Sequence, residues 1–289
     1  MSRLISDKYK EWEELCRQRF QRLKANEEQL NRYYIDLYGM GSEITPDVDD
    51  TDVTVRLADL QREIRSLISY AVGCIFGRYS LDREGLCYAG GQWDSSVYST
   101  IIPCKDNIMT LNSPDSGLTR AVTDFVEKVY GSETLVENLR FIADALGGSG
   151  EPVTVIHNYL RKDFFADHFK VYKKRPIYWQ FTSGKKSVFT AFMYFHRYTP
   201  EMIGALERKY AVPCLEKLKK QLSSSIKLHK SSTGAEKSVH RRDISRLQAQ
   251  ITEMEGFIAR LRLLAEQKIV LEADDGIRAN YEKLKGILV

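Results

Sequence analysis

Two stretches of heptad-spaced apolar residues, one near each end of the chain, restrict its possible folds most. Leucines at positions 15, 23, 30 and 37 recur near heptad spacing in the first. In the second, steps of three and four separate Ile244, Leu247, Ile251, Met254, Ile258, Leu261 and Leu264. Such spacing is typical of long helices that bury one apolar face. The sequence therefore predicts helices over about 6–38 and 236–268.

The two apolar patterns are compatible with more than one pairing. In one arrangement the terminal helices pack antiparallel against each other within one molecule. In another, the same residues form a coiled-coil dimer. A heptad pattern specifies that a face is buried but not what buries it, so both arrangements stay open at this point.

The region between the end helices contains shorter helical patterns. Helices are predicted over about 57–79, 115–130, 132–146 and 152–173, and another begins at Pro200. Glycines at 39 and 41 and at 147–150 follow helices and are interpreted as helix ends. Residues 81–116 are rich in glycine and proline, which predicts loops and one or two short strands, for instance around Ile101 and Ile102.

Residues 175–194 have the pattern of a β-hairpin. Two runs rich in aromatic and β-branched residues flank a short segment that carries Gly184, Lys185 and Lys186. Such a hairpin can hold a basic turn away from a rigid base. The fold class is therefore predicted to be mainly α with a small antiparallel β element (α+β).

Three segments are expected along the chain. Residues 1–56 form a long N-terminal helix and an acidic loop. Residues 57–199 form an α+β, recognition-like domain that contains the basic hairpin. Residues 200–289 form a C-terminal helical bundle or coiled coil. The long terminal helices are expected to form a helical bundle or an intramolecular coiled coil.

Composition excludes several classes of protein. With 43% hydrophobic and 28% charged residues among 289, the chain is not disordered. Its five cysteines share no close pair, which argues against a disulfide framework or a zinc ribbon. No stretch approaches the roughly 20 apolar residues of a membrane span. A cytoplasmic protein without membrane partners is expected.

Charge is segregated along the chain although the net charge is only +4. Basic residues are concentrated in 161–175 and 208–246, whereas 43–52 is acidic. Segregation of this kind is expected if one face meets a polyanion. The excess in 208–246 is also compatible with the solvated side of a helical pair.

Catalytic motifs are missing from the sequence. An amino-methyltransferase needs an Asn/Asp-Pro-Pro-Tyr/Phe loop to hold the target amino group of a flipped base, and none of the seven prolines is adjacent to another. No P-loop or Gly-x-Ser-x-Gly sequence occurs. Asp163, Asp167 and His168 are interpreted as a solvated helix face rather than metal ligands. The chain alone is therefore expected to have no catalytic residues and no cofactor or metal.

Basic side chains around the hairpin carry the nucleic-acid hypothesis. Lys173, Lys174 and Arg175 lie at its foot, Lys185 and Lys186 at its turn, and Arg197 at its exit. Lysine and arginine bind phosphates by charge, and arginine can also read guanine. The aromatics of the hairpin are interpreted as a sheet covered on both sides in preference to base stacking. His196 stays open between a phosphate contact and a capping or core residue.

Ordered blocks of the sequence resemble a known family. They lie at 31–39, 69–80, 137–146, 159–165, 175–198 and 272–281, and the match is weakest over 81–118. Together they resemble the C-terminal region of the PglX family, the adenine-specific DNA methyltransferases of BREX phage-defence systems. Related combined restriction–methylation enzymes carry similar blocks. Catalytic residues of the family have no counterparts here.

The resemblance implies a non-catalytic DNA-recognition and scaffold module of a phage-defence adenine methyltransferase. Its implied partners are double-stranded DNA and a methyltransferase domain or other phage-defence proteins. S-adenosylmethionine is implied for the catalytic domain alone. Because the chain starts with methionine where a catalytic domain would precede it, a fragment, a truncated gene and a separate subunit are all considered. The alternative is a protein-interaction scaffold that docks other defence components through its helical seams. A nuclease with an unrecognised site is the third hypothesis.

Overall fold

The structure, a computed structural model, describes residues 3–272 and 276–289. In chain order its main elements are α1 (Ile5–Tyr38), α2 (Leu60–Phe76), β1 (Ile108–Thr110), α3 (Gly117–Tyr130), α4 (Leu135–Ala145), α5 (Pro152–Lys162), α6 (Phe164–Val171), β2 (Tyr178–Thr182), β3 (Thr190–Tyr194), α7 (Met202–Leu206), α8 (Val212–Ser231), α9 (Gly234–Glu266) and α10 (Gly276–Lys283). The predicted fold class, mainly α with a small antiparallel sheet and long helices near both ends, is confirmed.

The chain divides into two compact units. Unit 1 comprises Met1–Ile68 and Val126–Pro152, and unit 2 comprises Ser69–Phe125 and Val153–Val289. Helix α1 therefore belongs to unit 1, whereas the sheet and α7–α9 belong to unit 2. Each long helix has its own packing partners within its unit.

Unit 1 is organised around α1 and α4. The Ile5 amide at the first turn of α1 donates to the buried Asn138 Oδ1 of α4 at 2.8 Å, which satisfies a free helix-end donor. Helix α1 ends at Gly39, whose φ of 67° is the left-handed conformation of a helix cap. The acidic loop then returns along α1, where the Asn31 side chain donates to the Pro46 carbonyl at 3.1 Å.

Unit 2 contains an antiparallel sheet with strand order β1-β3-β2. The hairpin formed by β2 and β3 is present as predicted, with Trp179 opposite Met193. The additional strand predicted around Ile101 and Ile102 lies at β1 instead. Ile102 is exposed, whereas β1 pairs with β3 and is held there by Asn107, whose side chain donates to the Tyr194 carbonyl at 2.9 Å.

Both faces of the sheet are covered. On one face, buried residues of β2 and β3 pack into an apolar core with α7, α8 and α9. On the other face, Tyr178 stacks on Phe76 of α2, and Phe192 meets Phe164 of α6 edge-on. The hairpin aromatics Tyr178, Trp179, Phe181, Phe189, Phe192 and Tyr194 are all buried. Their interpretation as core residues, and not as a base-stacking surface, is confirmed.

Helices α8 and α9 form an antiparallel hairpin joined by Ser232 and Thr233. The apolar seam of α9 is buried from Leu247 to Leu261 against α8, α7 and the sheet. A π-helical turn, Glu207–Ala211, joins α7 to α8. Its buried Glu207 pairs with Arg262 of α9 at 2.9 Å, which secures the turn to the bundle.

Two predicted helices differ from the structure. The helix predicted over 152–173 is divided at Asp163 into α5 and α6, because Phe164 and His168 of α6 pack against the sheet. The helix predicted from Pro200 begins at Met202. Within the described residues, no helix combines the length and the hydropathy that crossing a bilayer requires.

Candidate nucleic-acid interface

The turn between β2 and β3, residues 183–189, is a structured loop. Gly184 has a φ of 142°, a conformation that L side chains rarely adopt. The Ser183 hydroxyl accepts from the Phe189 amide at 3.0 Å and closes the loop from within. The Arg161 guanidinium of α5 donates to the Ser187 carbonyl. The backbone of the turn is therefore fixed by both local and distant contacts.

The Glu253 carboxylate of α9 holds the turn from the other side. It accepts from the Ser183 hydroxyl at 2.7 Å, from the Lys186 amide at 2.9 Å and from the Val188 amide at 3.3 Å. Burial raises the pKa of Glu253, but these hydrogen bonds outweigh it, and the pKa lies below its ordinary value. Glu253 is thus held as an anion that satisfies backbone donors of the turn.

Lys185 and Lys186 are exposed on this turn, as expected for phosphate-binding side chains. Their ammonium groups form no salt bridge with the described part of the chain. The expected geometry, a basic tip held away from the base, is different in the structure: the turn lies against α9 and is bound by Glu253. The two lysines are therefore presented from a rigid support.

Lys173, Lys174 and Arg175 lie at the opposite end of β2. They follow the last turn of α6, where φ values of 51° for Lys173 and 66° for Lys174 reverse the chain into the strand. All three side chains are exposed. Because β2 has five residues, this group lies roughly 15 Å from the turn. The structure therefore divides the predicted cations between two ends of the hairpin.

Arg197 differs from the other predicted cations. It follows β3 in a short 3₁₀ turn, and its guanidinium donates to the Phe76 carbonyl at 3.0 Å and the Lys105 carbonyl at 3.4 Å. The same group lies 4.3 Å from the centroid of the Trp93 ring. Arg197 thus caps the C-terminal end of α2 and fixes neighbouring loops.

The two histidines near the hairpin, buried His168 and half-buried His196, pack among aromatic rings. His168 is buried, so its interpretation as part of a solvated helix face was wrong, and its Nε2 accepts from the Ile177 and Tyr178 amides at 3.0 and 3.2 Å. Burial, assisted by the positive charge of Arg78, lowers the pKa of His168 to about 4. His196 packs against the Tyr194 and Phe195 rings, and burial lowers its pKa as well. Both rings are suited to packing in the neutral form.

The remaining sequence features that were weighed for metal or cofactor binding are the polar residues of α5 and α6 and the glycines that follow helices. No group of three or more potential ligands converges among the described residues, and Asp167 accepts from the Tyr159 hydroxyl at 3.0 Å. Gly39 and Gly147 cap α1 and α4 in left-handed conformations. They follow helices and do not form the strand-to-helix turn of a nucleotide cofactor site.

Three further cations lie close together although the sequence did not single them out. Lys217 and Lys220 of α8 and Arg246 of α9 line a cleft of about 470 Å³ with serines at 224 and 225 and with Asp243, to which Arg246 donates at 3.0 Å. Arg246 precedes Glu253 by two helical turns, so it shares a face of α9 with the hairpin turn at a distance of about 10 Å. The basic excess in 208–246 was the available sequence signal.

A larger groove of about 1180 Å³ lies beside the foot of the hairpin. Aromatic rings line it, including Phe165, Phe169 and Tyr281, and the cations Lys174, Arg175 and Arg278 lie at its edge. Two of the predicted site residues thus border an apolar surface, a combination that sequence patterns did not indicate.

The sequence was compared with protein families and with known proteins. No family model matches the chain. The adenine-specific methyltransferase PglX of Lacticaseibacillus casei (strain Zhang) is 42% identical over 283 residues, 95% of this chain and 24% of that protein. The adenine-specific methyltransferase BrxX of Escherichia coli O9:H4 (strain HS) is 36% identical over 242 residues, 78% of this chain and 20% of that protein.

The chain is a homologue of a region of adenine-specific methyltransferases. More particularly, it matches a C-terminal region of PglX. It spans about a quarter or less of the length of these two relatives. The resemblance inferred from sequence blocks is confirmed. Ala273, Asp274 and Asp275 of the last block, at 272–281, lie outside the described residues.

Proposed function

We propose that this chain is a non-catalytic DNA-recognition and scaffold module of an adenine-specific DNA methyltransferase. The system would be a phage-defence one, of the BREX or restriction–modification kind. Homology to PglX and BrxX supports the methyltransferase context. Charge and geometry on unit 2 support the DNA-binding role.

The observation that carries the proposal is the rigid presentation of Lys185 and Lys186. Their turn is clamped by Glu253, and the cleft between α8 and α9 adds Lys217, Lys220 and Arg246 against the carboxylate of Asp243. Ordering flexible lysine-bearing loops on binding costs conformational entropy, and a preformed turn avoids most of that cost. Such a surface suits the closely spaced phosphates of duplex DNA.

A second contact would come from Lys173, Lys174 and Arg175. They are exposed about one strand length from the turn, a separation that suits phosphates several base pairs apart along the duplex. The proposal does not extend to Arg197, whose guanidinium is engaged by backbone carbonyls and Trp93. Phosphate contacts of this kind position the DNA without specifying its sequence.

The catalytic step would belong to another polypeptide segment. A methyltransferase domain with bound S-adenosylmethionine would transfer the methyl group, and this module would help hold its DNA site. Double-stranded DNA and that domain are the proposed partners, and the cytoplasm is the proposed compartment. Marking of host DNA would be the role of the assembly.

Fluorescence anisotropy with a labelled duplex tests the proposal at several salt concentrations. Lys185→Ala/Lys186→Ala should weaken binding and reduce the slope of log K against log salt by up to about 2, since each lost phosphate contact contributes about 0.9. The control is Lys8→Ala/Lys10→Ala on α1, which removes two positive charges from unit 1. Its DNA affinity and salt dependence should equal those of the unsubstituted chain. Equal affinities and slopes for all three proteins would refute the proposed interface.

A further inference from the structure

The C-terminal part of α1 carries an exposed apolar stripe. Its five members are separated by helical steps that place them on one continuous face. They are Leu30, Tyr33, Tyr34, Leu37 and Tyr38, with 55, 62, 48, 59 and 69% of their surface exposed. Contiguous exposed apolar surface of this size is unusual on a soluble protein and marks interaction sites.

The stripe is exposed although the helix around it is well ordered. The N-terminal half of α1 buries Ile5, Cys16 and Phe20 within the molecule. The adjacent flank is covered by the acidic loop, through the ion pair of Lys24 with Asp50 at 2.6 Å and the burial of Ile35. The stripe thus continues the apolar face of α1 whose N-terminal part is buried within the molecule, and the stripe itself is left exposed.

The tyrosines of the stripe are arranged before any partner binds. The Tyr33 and Tyr34 rings meet edge-on at 5.3 Å, and the Tyr34 and Tyr38 rings stack at 6.4 Å. Tyrosine side chains are rigid and amphipathic, and they are enriched among residues that dominate interface energetics. A preformed aromatic surface loses little conformational entropy on binding.

Charge around the stripe identifies the chemistry of its occupant. Residues 21–52 contain eight acidic and three basic side chains. A negative surface repels DNA, so this face is not part of the proposed nucleic-acid interface. It complements a protein surface that is apolar at its centre and basic at its edge.

We propose that the stripe on α1 docks the methyltransferase portion that the longer relatives possess and this chain does not span. The relatives are four to five times longer than the matched region, so most of their chain lies outside it. The identity of the partner therefore rests on the proposed function as a methyltransferase module. The exposed stripe itself is an observation that does not depend on DNA binding. Docking at the stripe would join the chain that carries the proposed DNA-binding surface of unit 2 to the methyltransferase portion that carries out catalysis.

Isothermal titration calorimetry with two purified proteins tests the docking. One is this chain, and the other is Lacticaseibacillus casei PglX without its matching C-terminal quarter, used only once circular dichroism melting shows that this truncated protein is folded. Leu30→Glu/Leu37→Glu should weaken binding roughly tenfold or more, because it places charges in the apolar centre of the interface. Leu57→Glu/Val136→Glu is the matched control, since it charges exposed apolar positions of unit 1 outside the stripe.

Separate readouts distinguish failure of this proposal from failure of DNA recognition. The α1 double variant should keep its duplex affinity, and Lys185→Ala/Lys186→Ala should keep its docking affinity. Circular dichroism melting verifies that each variant is folded. Absence of docking, or equal docking by both glutamate double variants, would overturn the proposal. Self-association of the chain that only the stripe variant abolishes would overturn it too, because the occupant would then be a second copy.

Discussion

Two helices with the same heptad signature, α9 and the C-terminal half of α1, have opposite environments. The seam of α9 is buried from Leu247 to Leu261 against α8, α7 and the sheet. Of the heptad leucines of α1, Leu15, Leu30 and Leu37 are exposed, and the helix buries Cys16 and Phe20 beside them instead. The comparison teaches that a heptad pattern indicates an apolar face on a helix. Which residues cover that face, if any do, depends on the tertiary structure.

The connectivity of the chain explains the difference. A two-residue link returns α8 directly along α9, so the α9 seam is covered by its neighbour in sequence. After α1 the chain forms the acidic loop, which covers the flank around Ile35 and leaves the adjacent stripe open. We propose that a partner from outside the described residues covers the stripe.

The largest expected effect comes from truncating the α9 seam. Phe257 is fully buried and its ring lies 5.6 Å from that of Phe189. Phe257→Ala should lower the free energy of unfolding by about 3–5 kcal/mol, through lost apolar burial and the cavity left behind. Urea unfolding measures the change. Val239→Ala, at an exposed position of the same helix, is the control, and a similar loss in both variants would contradict the comparison.

A pH titration is expected to have the next largest effect, and its histidine-dependent part acts on unit 2. All five histidines of the sequence lie in that unit. The pKa of His168 falls from 6.5 to about 4 on folding, so its stabilising contribution is full above pH 6.5 and is lost as the pH falls towards 4. The loss amounts to about 3 kcal/mol.

Thermal melting between pH 7.5 and 4 measures this dependence, with His168→Gln as the comparison. Glutamine offers an acceptor to the backbone amides but does not titrate, so the variant should show a shallower fall in melting temperature. Hydrogen exchange should locate the acid-induced opening in β2 and β3 before α1. Parallel curves for the two proteins would show that His168 is not the group responsible.

The smallest effect is expected on the exposed α1 seam. Leu30→Gln/Leu37→Gln should change the free energy of unfolding by no more than about 0.5 kcal/mol per site, because little buried surface is removed. The same urea titration as for Phe257→Ala makes the results directly comparable. A loss above about 2 kcal/mol would mean that these leucines are already packed in the isolated chain.

Local patterns predicted much of the fold. The helix predicted over 6–38 is α1 at Ile5–Tyr38, and that predicted over 236–268 is α9 at Gly234–Glu266. The hairpin was predictable because alternation and a glycine-containing turn are local signals. The position of β1 was not, since its pairing with β3 joins residues more than 80 positions apart.

The candidate interface was predictable in its charges and not in its arrangement. Exposure of Lys185 and Lys186 follows from their place in a turn. The clamp by Glu253 does not, because nothing near position 253 indicates that its carboxylate meets backbone amides nearly 70 residues away. The same holds for Lys217 and Arg246, which come together only through the pairing of α8 with α9.

By itself the sequence determined the long helices, the hairpin, the separation of charge and the relationship to PglX. Each of these depends on periodicity, composition or matched blocks, which are written along the chain. Tertiary structure alone decided which heptad seam is buried, which carboxylate holds the basic turn and which cations share a face. Those outcomes depend on contacts between distant residues, and a local pattern specifies a surface without specifying its partner.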